Sequence, residues 1–345
     1  MNEARPLKIG IIGAGRIGEL HAEHLRYRVR GAELAAIADI NKERLAALAA
    51  ALDIPKTYTD YHELLEDDSI SAVVICSPTD THSTIIEESA AAGKHIFCEK
   101  PIDHDMARID RALKAVAKAS VKLQTGFNRR FDPNFRHIKL AIENGKIGQP
   151  HILKITSRDP APPPVSYIRA SGGLFLDMTI HDFDMARYLM NSEVKSVFAT
   201  GNARLKEIGL AGDIDTAIVV LEFANGSVGT IDNSREAVYG YDQRVEVFGS
   251  QGVIAAENNT PYRVVIGGRE GFYSPNPMSF FMDRYTESYL QEMEAFVKSI
   301  INDETPPVTG EDGRIPVVIA LAAQQSLKER RVVDISQITD LAAAH

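Results

Sequence analysis

A short apolar run, Leu7 to Ile12, leads directly into Gly13-Ala14-Gly15-Arg16-Ile17-Gly18 and then into a helical pattern carried by Ile17, Leu20, His21, His24 and Leu25. Gly13 and Gly15 let a backbone turn tightly and approach a pyrophosphate, and Gly18 lets the helix pack close to the strand. Arg16 and Ile17 open that helix, whose N-terminal N–H groups have no partner of their own and suit an anion. The glycine pattern alone is a weak signal. Its context is what constrains the fold: a strand before, a helix after, and a second strand, Glu33 to Ala38, ending in Asp39. An acidic side chain about twenty residues past the last glycine accepts hydrogen bonds from both hydroxyls of an adenine ribose. A 2'-phosphate there would meet a like charge, and Ile40 and Asn41 bring no cation. NAD is therefore expected rather than NADP; the competing role for Asp39 is capping a helix that begins at Asn41 or Lys42.

The strand-and-helix alternation continues. Asn41 to Leu52 and Tyr61 to Leu65 predict helices, and Ala72 to Cys76 a buried parallel strand. Ser77 to His82 forms the next strand-to-helix loop, with helix to Ala92 and a stop at Gly93. Loops at the carboxyl ends of such strands line the ligand crevice, which makes Ser77, Thr79 and His82 candidates for contact with the nicotinamide ribose. For His82 the alternative is a helix-start residue facing solvent. His95 to Cys98 is the following strand and runs into Glu99-Lys100-Pro101, which puts Glu99 and Lys100 where the reactive end of a dinucleotide belongs. A helix from Asp105 to Ala119 and a strand from Val121 to Thr125 complete an α/β Rossmann domain over residues 1–126.

Residues 127–345 read differently. Gly126 to Asp132 is a basic connection; its plainest role is a solvated linker, and Arg129 at the border of a cofactor or a hydroxylated substrate is the more specific one. After a helix from Pro133 to Asn144, strands are expected at Ile152 to Ser157, Val194 to Asn202, Thr216 to Phe223, Ser227 to Asn233, Gln243 to Phe248, Gly252 to Glu257 and Tyr262 to Ile266. Asn225-Gly226 is a hairpin signal between two of them. The pattern predicts an α+β domain on a large open, mostly antiparallel sheet. Ala217 to Leu221 is apolar at every position, which implies cover on both faces; helices of one chain can cover one, so a second subunit is expected on the other. Pro160-Ala161-Pro162-Pro163-Pro164 predicts stiff extended backbone and a wall of a substrate cleft. Helices over roughly Tyr285 to Asn302 and Gly313 to Arg330 are expected to pack against both domains.

Within this half lies Gly172-Gly173-Leu174-Phe175-Leu176-Asp177-Met178-Thr179-Ile180-His181. On a helix, Asp177 and His181 stand four residues apart on one face, where a carboxylate can hold an imidazole for proton transfer. The alternative is an N-terminal helix carboxylate and a satisfied core histidine. His21 and His24, also at helical spacing, lack nearby acidic or cysteine partners in a cleft and read as helix-surface residues, so no metal is expected. The charge balance, 38 Lys and Arg against 47 Asp and Glu, excludes a general phosphate-backbone binder, so no nucleic-acid partner is expected. Cys76 and Cys98 both lie in apolar runs, which fits a reducing compartment. No stretch resembles a membrane span, and the first residues show no apolar leader, so a cytoplasmic location is expected.

Five motifs in one order, Gly13 to Gly18, Glu99-Lys100-Pro101, Gly126 to Asp132, Gly172 to Asp184 and Tyr239-Gly240-Tyr241-Asp242-Gln243-Arg244, resemble the glucose-fructose oxidoreductase and inositol dehydrogenase family, nearest its inositol branch. The resemblance covers nearly the whole chain. It implies a Rossmann domain, a sheet domain that joins subunits as a homotetramer, NAD as hydride acceptor, and a small polyol as substrate: myo-inositol, oxidised at a ring secondary alcohol to the ketone. In relatives the lysine of Glu-Lys-Pro and the Asp-x-x-x-His pair are catalytic, which transfers to Lys100, Asp177 and His181. Substrate contacts transfer to Arg129, Asp159, and Tyr239 or Tyr241. Met178 departs from the family at a position where some relatives carry a polar residue, which bears on the isomer preferred. The expected chemistry has His181, with an ordinary pKa near about 6.5, as general base, Asp177 orienting it, and Lys100 stabilising the developing alkoxide. The rivals are another polyol or aldose such as scyllo-inositol or glucose, and a non-catalytic NAD-binding sensor.

Overall fold

The structure is a computed structural model that describes residues 6–343, with side chains described as far as 339. The opening residues in which a leader was sought lie outside the described part, apart from Pro6. The chain forms two compact units, one comprising residues up to Asn128 with Glu287–Ile315, the other Arg129–Thr286 with the residues from Pro316 onward.

The first unit runs β1 (Leu7–Ile12), α1 (Arg16–Tyr27), β2 (Ala32–Ala38), α2 (Lys42–Leu52), β3 (Lys56–Tyr58), α3 (Tyr61–Leu65), β4 (Ala72–Ile75), α4 (Thr79–Ala91), β5 (His95–Glu99), α5 (Met106–Ala119) and β6 (Leu123–Gly126). All six strands pair in parallel, in the order β3-β2-β1-β4-β5-β6. The order reverses between β1 and β4, and the carboxyl ends of those strands are where such sheets bind ligands. Ile9, Ile11, Ala72, Val74 and Phe97 are fully buried because both faces of the sheet are covered. Part of that cover arrives from far along the chain: Leu290, Met293, Phe296 and Val297 belong to the same core cluster as Ala22 and Leu25 of α1.

The second unit contributes a 3-10 turn (Asn128–Phe131, the first residue belonging to the first unit), α6 (Pro133–Glu143), β7 (Pro150–Arg158), α7 (Val165–Ala170), a π-turn (Phe175–Thr179), α8 (Ile180–Met190), β8 (Val194–Asn202), α9 (Lys206–Leu210), β9 (Thr216–Phe223), β10 (Val228–Ser234), β11 (Asp242–Gly249), β12 (Gly252–Ala256), β13 (Ile266–Gly268) and β14 (Gly271–Tyr273). The helices α10 (Phe281–Ile301) and α11 (Gly310–Glu329) each have residues in both units, and β15 (Val333–Asp334) and α12 (Ile335–Ala343) close the chain. Seven strands form the sheet β12-β11-β7-β10-β9-β8-β15, antiparallel except for β7 and β10.

Two local expectations are corrected. The strand expected at Tyr262 to Ile266 begins only at Ile266, because the Gly267 to Gly271 stretch makes a separate β13-β14 hairpin there. The connection through Arg129 is no solvated linker: Phe127, Asn128, Arg129 and Asp132 are all buried. The apolar strand β9 is covered on one face by its own chain, and the cover expected from a second subunit falls to the other face. Ala217, Val219 and Leu221 are buried while Ile218 and Val220 are 43% and 41% exposed, as side chains of a strand alternate between faces. On the exposed face Val253, Phe248, Ile152 and Val228 sit directly opposite one another across four strands.

Candidate active site

In the first unit the glycine turn is built as its sequence requires. Gly13 has φ +106°, and a Cβ on it would lie 2.7 Å from the backbone of Cys76; one on Gly18 would lie 1.9 Å from the carbonyl oxygen of Gly13. A Cβ on Gly15, by contrast, would meet nothing within 4 Å. Gly15 is also the N-cap of α1 and caps it with no side-chain bond, which leaves the amides of Arg16, Ile17 and Gly18 to face an anion. Asp39 closes the turn: its Oδ2 accepts from the Ala14 amide at 2.6 Å and its Oδ1 from the Asn41 amide at 2.7 Å. The cap of α2 is Asn41, which accepts from the Arg44 amide, so Asp39 is not the cap. A carboxylate has about four acceptor sites, which leaves Asp39 capacity for a ribose diol. These residues fit a dinucleotide.

Ser77, in the loop after β4, hydrogen-bonds Thr81 at 2.7 Å, and Thr79 is the first residue of α4. His82 does not face solvent. It is 2% exposed, and its ring nitrogens lie 2.8 Å from the carbonyl oxygens of Ser77 and Pro101, tying the two loops together. The Lys100-Pro101 peptide is cis, and Lys100 is partly exposed. Behind Glu99 the structure overturns the surface assignment of the two α1 histidines. His21 and His24 are buried; His21 packs edge-on against Phe97 and Tyr289, and its Nε2 lies 2.7 Å from Glu99 Oε1. Burial, then His21 and Arg28, lowers the pKa of His24 to about 4. Glu292 lies within 4.8 Å of both His21 and Glu99, fully buried, and burial raises its carboxyl well above the usual range, with Glu99 adding to it. Both cysteines are free thiols raised by burial.

In the second unit the paired glycines both take positive φ, and the helix that follows starts with a π-turn before α8 proper. Such turns are frequent at functional sites. Asp177 lies in the π-turn and His181 is the second residue of α8, both partly exposed, whereas Met178 is buried in the core. Asp177 Oδ1 accepts from the Tyr167 hydroxyl at 2.8 Å, and Oδ2 from Arg235 Nη1 at 3.1 Å.

The twin arginines of the connection are paired with twin aspartates of α8. Arg129 donates to Asp182 at 2.5 Å, and Arg130 makes a bidentate pair with Asp184 at 2.6 to 3.1 Å. Asn233 completes the first pair, donating to Asp182 Oδ2 at 3.0 Å and accepting from Thr179 at 2.7 Å. Arg129 is thus a buried anchor for the helix that carries His181. It also donates to the buried Tyr241 hydroxyl at 3.4 Å. Tyr239 is more exposed and joins Arg158 and Asp242 at 2.9 and 2.6 Å. Asp159 follows β7, half-buried, and burial pushes its carboxyl up to about 6, with Arg235 and Arg129 opposing and Asp177 and Asp182 adding. Sequence reasoning missed Arg235, Tyr167, Asp182 and Asn233. Only Asp182 carried a signal, since it adjoins His181.

Comparison with known proteins decides the family. Residues 7–127 match the NAD-binding Rossmann fold of the GFO/IDH/MocA oxidoreductase family, and residues 139–335 match its C-terminal alpha/beta domain. The chain belongs to this family. It is 52% identical to the myo-inositol 2-dehydrogenase of Thermotoga maritima over 96% of this chain and 99% of that one. It is 47% identical to the inositol 2-dehydrogenase of Rhizobium meliloti over 96% and 99%. Among solved structures, scyllo-inositol dehydrogenase from Lactobacillus casei with bound NAD(H) and scyllo-inositol superposes with a TM-score of 0.90 at 32% identity, covering 96% of this chain and 99% of that one. The GFO/IDH/MocA chain described here is therefore an enzyme, an oxidoreductase, and its cofactor is NAD. Among the described residues no helix is long and apolar enough to cross a membrane.

Proposed function

We propose that this oxidoreductase oxidises myo-inositol at a ring secondary alcohol to 2-keto-myo-inositol. What carries the proposal is the pairing of a π-turn that presents Asp177 four residues before His181 with two relatives of about half-identical sequence that bear inositol 2-dehydrogenase names. NAD, when bound, supplies the hydride acceptor. His181 takes the hydroxyl proton as general base, and Asp177 orients the ring and favours its protonated form. Lys100 stabilises the developing alkoxide by its charge. Ser77, Thr79, His82 and Glu99 line the nicotinamide end, His82 by fixing the loops around it. Asp159 and one of the two tyrosines, Tyr239 or Tyr241, receive the remaining hydroxyls of the polyol. Arg129 acts from beneath, through Asp182 and the Tyr241 hydroxyl.

The L. casei enzyme favours a second reading, in which scyllo-inositol is the substrate. Following reduced nicotinamide with myo-inositol, scyllo-inositol and glucose, each with NAD and NADP, separates the two: myo-inositol with NAD should give the highest kcat/KM. His181→Ala should lower kcat by about 10² to 10⁴ while NAD binding persists. Near-normal turnover would remove His181 as the base. The exposed apolar row on the seven-stranded sheet supports association with further copies of the chain through these sheets, as a homotetramer. Two free thiols suit a cytoplasmic enzyme.

A further inference from the structure

Resting on the role just given to Asp177, we propose that Arg235, assisted by Tyr167, is a positioning residue that fixes the Asp177 carboxylate in one ionised orientation behind His181. Arg235 follows β10 and is 1% exposed, an uncommon place for a guanidinium. Its backbone amide donates to the Asp215 carbonyl at 2.8 Å, which ties it to the start of β9. Its Nη1 reaches Asp177 at 3.1 Å, and its Nη2 lies 4.0 Å from Asp213. Asp213 is itself held where the π-turn begins, accepting from the Leu174 amide at 3.1 Å. One buried cation therefore joins the carboxylate of the π-turn to the carboxylate that caps the turn's entry. Tyr167 approaches the other oxygen of Asp177 from α7, at 2.8 Å. With both oxygens held, the carboxylate cannot rotate freely, and its charge has a local counterion.

The charged and titratable groups around Asp177 come from several elements: Arg235 after β10 and Tyr167 on α7 bond to it, Asp159 after β7 shares its field, Asp213 before β9 is joined to it through Arg235, and His181 on α8 follows it by four residues. Asp159 and Asp213 are acidic, so losing Arg235 removes the cation that offsets three carboxyl groups. Protonation of Asp177 then becomes easier, and the acidic limb of the rate profile moves to higher pH.

The test uses the full chain with NAD and myo-inositol. Arg235→Gln is expected to lower kcat about 10- to 100-fold and shift the acidic limb of kcat/KM upward by about one pH unit, with KM for NAD within about twofold of the parent. Arg235→Lys should recover part of the rate and most of the shift. In an Asp177→Asn background Arg235→Gln should cost less than about threefold, because a residue acting through Asp177 has nothing left to position. Tyr167→Phe, a change at a half-exposed residue, should give a smaller loss with the same upward shift, and it stands in if Arg235→Gln does not fold. An unmoved limb with either variant, or an equal Arg235→Gln cost in both backgrounds, overturns the positioning role. Asp177→Asn turning over like the parent would instead bring down the catalytic role of Asp177 itself.

Discussion

Arg129 Nη1 and Asp182 Oδ1 lie 2.5 Å apart with both side chains buried, one in the 3-10 turn after the Rossmann strands and the other beside His181 on α8. A basic stretch that looks like a soluble linker in sequence is in fact the anchor of the helix that carries the proposed base. Removing one partner of a buried ion pair leaves an uncompensated charge. Asp182→Ala is therefore expected to cost about 3 to 5 kcal/mol, read as a lowered urea midpoint with unchanged slope. Replacing both partners together, Arg129→Met with Asp182→Leu, should recover much of that loss in stability. Equal midpoints for the single and double variants would show that the pair is not the source of the cost.

Gly15 and Gly18 make an internally controlled pair of tests in the first unit. A methyl group at residue 18 runs into a backbone carbonyl oxygen, which cannot swing aside, whereas one at residue 15 meets no atom of the protein. Gly18→Ala is expected to unfold or severely destabilise the Rossmann unit. Gly15→Ala should leave the thermal midpoint of the NAD-free protein nearly unchanged and weaken NAD binding by about tenfold or more, because the space it fills is where a pyrophosphate approaches the backbone. Calorimetric titration with NAD and thermal melts of the two variants check this. Unchanged NAD affinity for Gly15→Ala would mean that the dinucleotide passes elsewhere.

What was legible from sequence was what is encoded locally. The strand-turn-helix at Gly13 to Gly18, the acid at Asp39, the Asn225-Gly226 hairpin and the helix around His181 each depend on neighbours within a few residues. The misread positions depend on partners from distant segments. His21 and His24 have a surface pattern until Leu290, Met293 and Phe296 cover α1. The two arginines at 129 and 130 look solvated until two aspartates some fifty residues on arrive beside them. Arg235 gives no hint at all, since a lone arginine after a strand is ordinarily a surface residue. The parallel pairing of β7 with β10 was also hidden, because alternation of apolar residues reports which face is buried and not strand direction.

The carboxyl of Asp159, pushed up to about 6 chiefly by burial, gives a pH dependence with a definite sign. Between the ordinary carboxyl range and pH 6 the folded protein keeps a proton that the unfolded chain has released. The stability this contributes is present in full below about pH 4 and is lost as the pH rises through about 6. Asp159→Asn cannot ionise, so relative to the parent it should gain on the order of 1 to 3 kcal/mol on going from pH 4.5 to pH 7.5. Urea unfolding of both proteins at the two pH values measures it; a difference that does not change with pH would show that Asp159 titrates normally.

The outer face of the seven-stranded sheet makes the last prediction. Ile218 and Val220 of β9, with Phe198 beside Val220 on β8, and the row Val253, Phe248, Ile152 and Val228, present apolar side chains to the outside on six adjacent strands. A patch of this extent on a sheet surface is costly to leave in water and is the usual mark of a protein interface. A carboxylate introduced there would be buried without a partner if a second sheet covers the face, and would be solvated if none does. Ile218→Glu with Val220→Glu should therefore convert the protein to smaller species by sedimentation velocity at micromolar concentration, with the far-ultraviolet circular dichroism retained. If the parent already sediments as a monomer, or the doubly charged variant keeps the parent's mass, the association does not run through this face, and the apolar row needs another explanation.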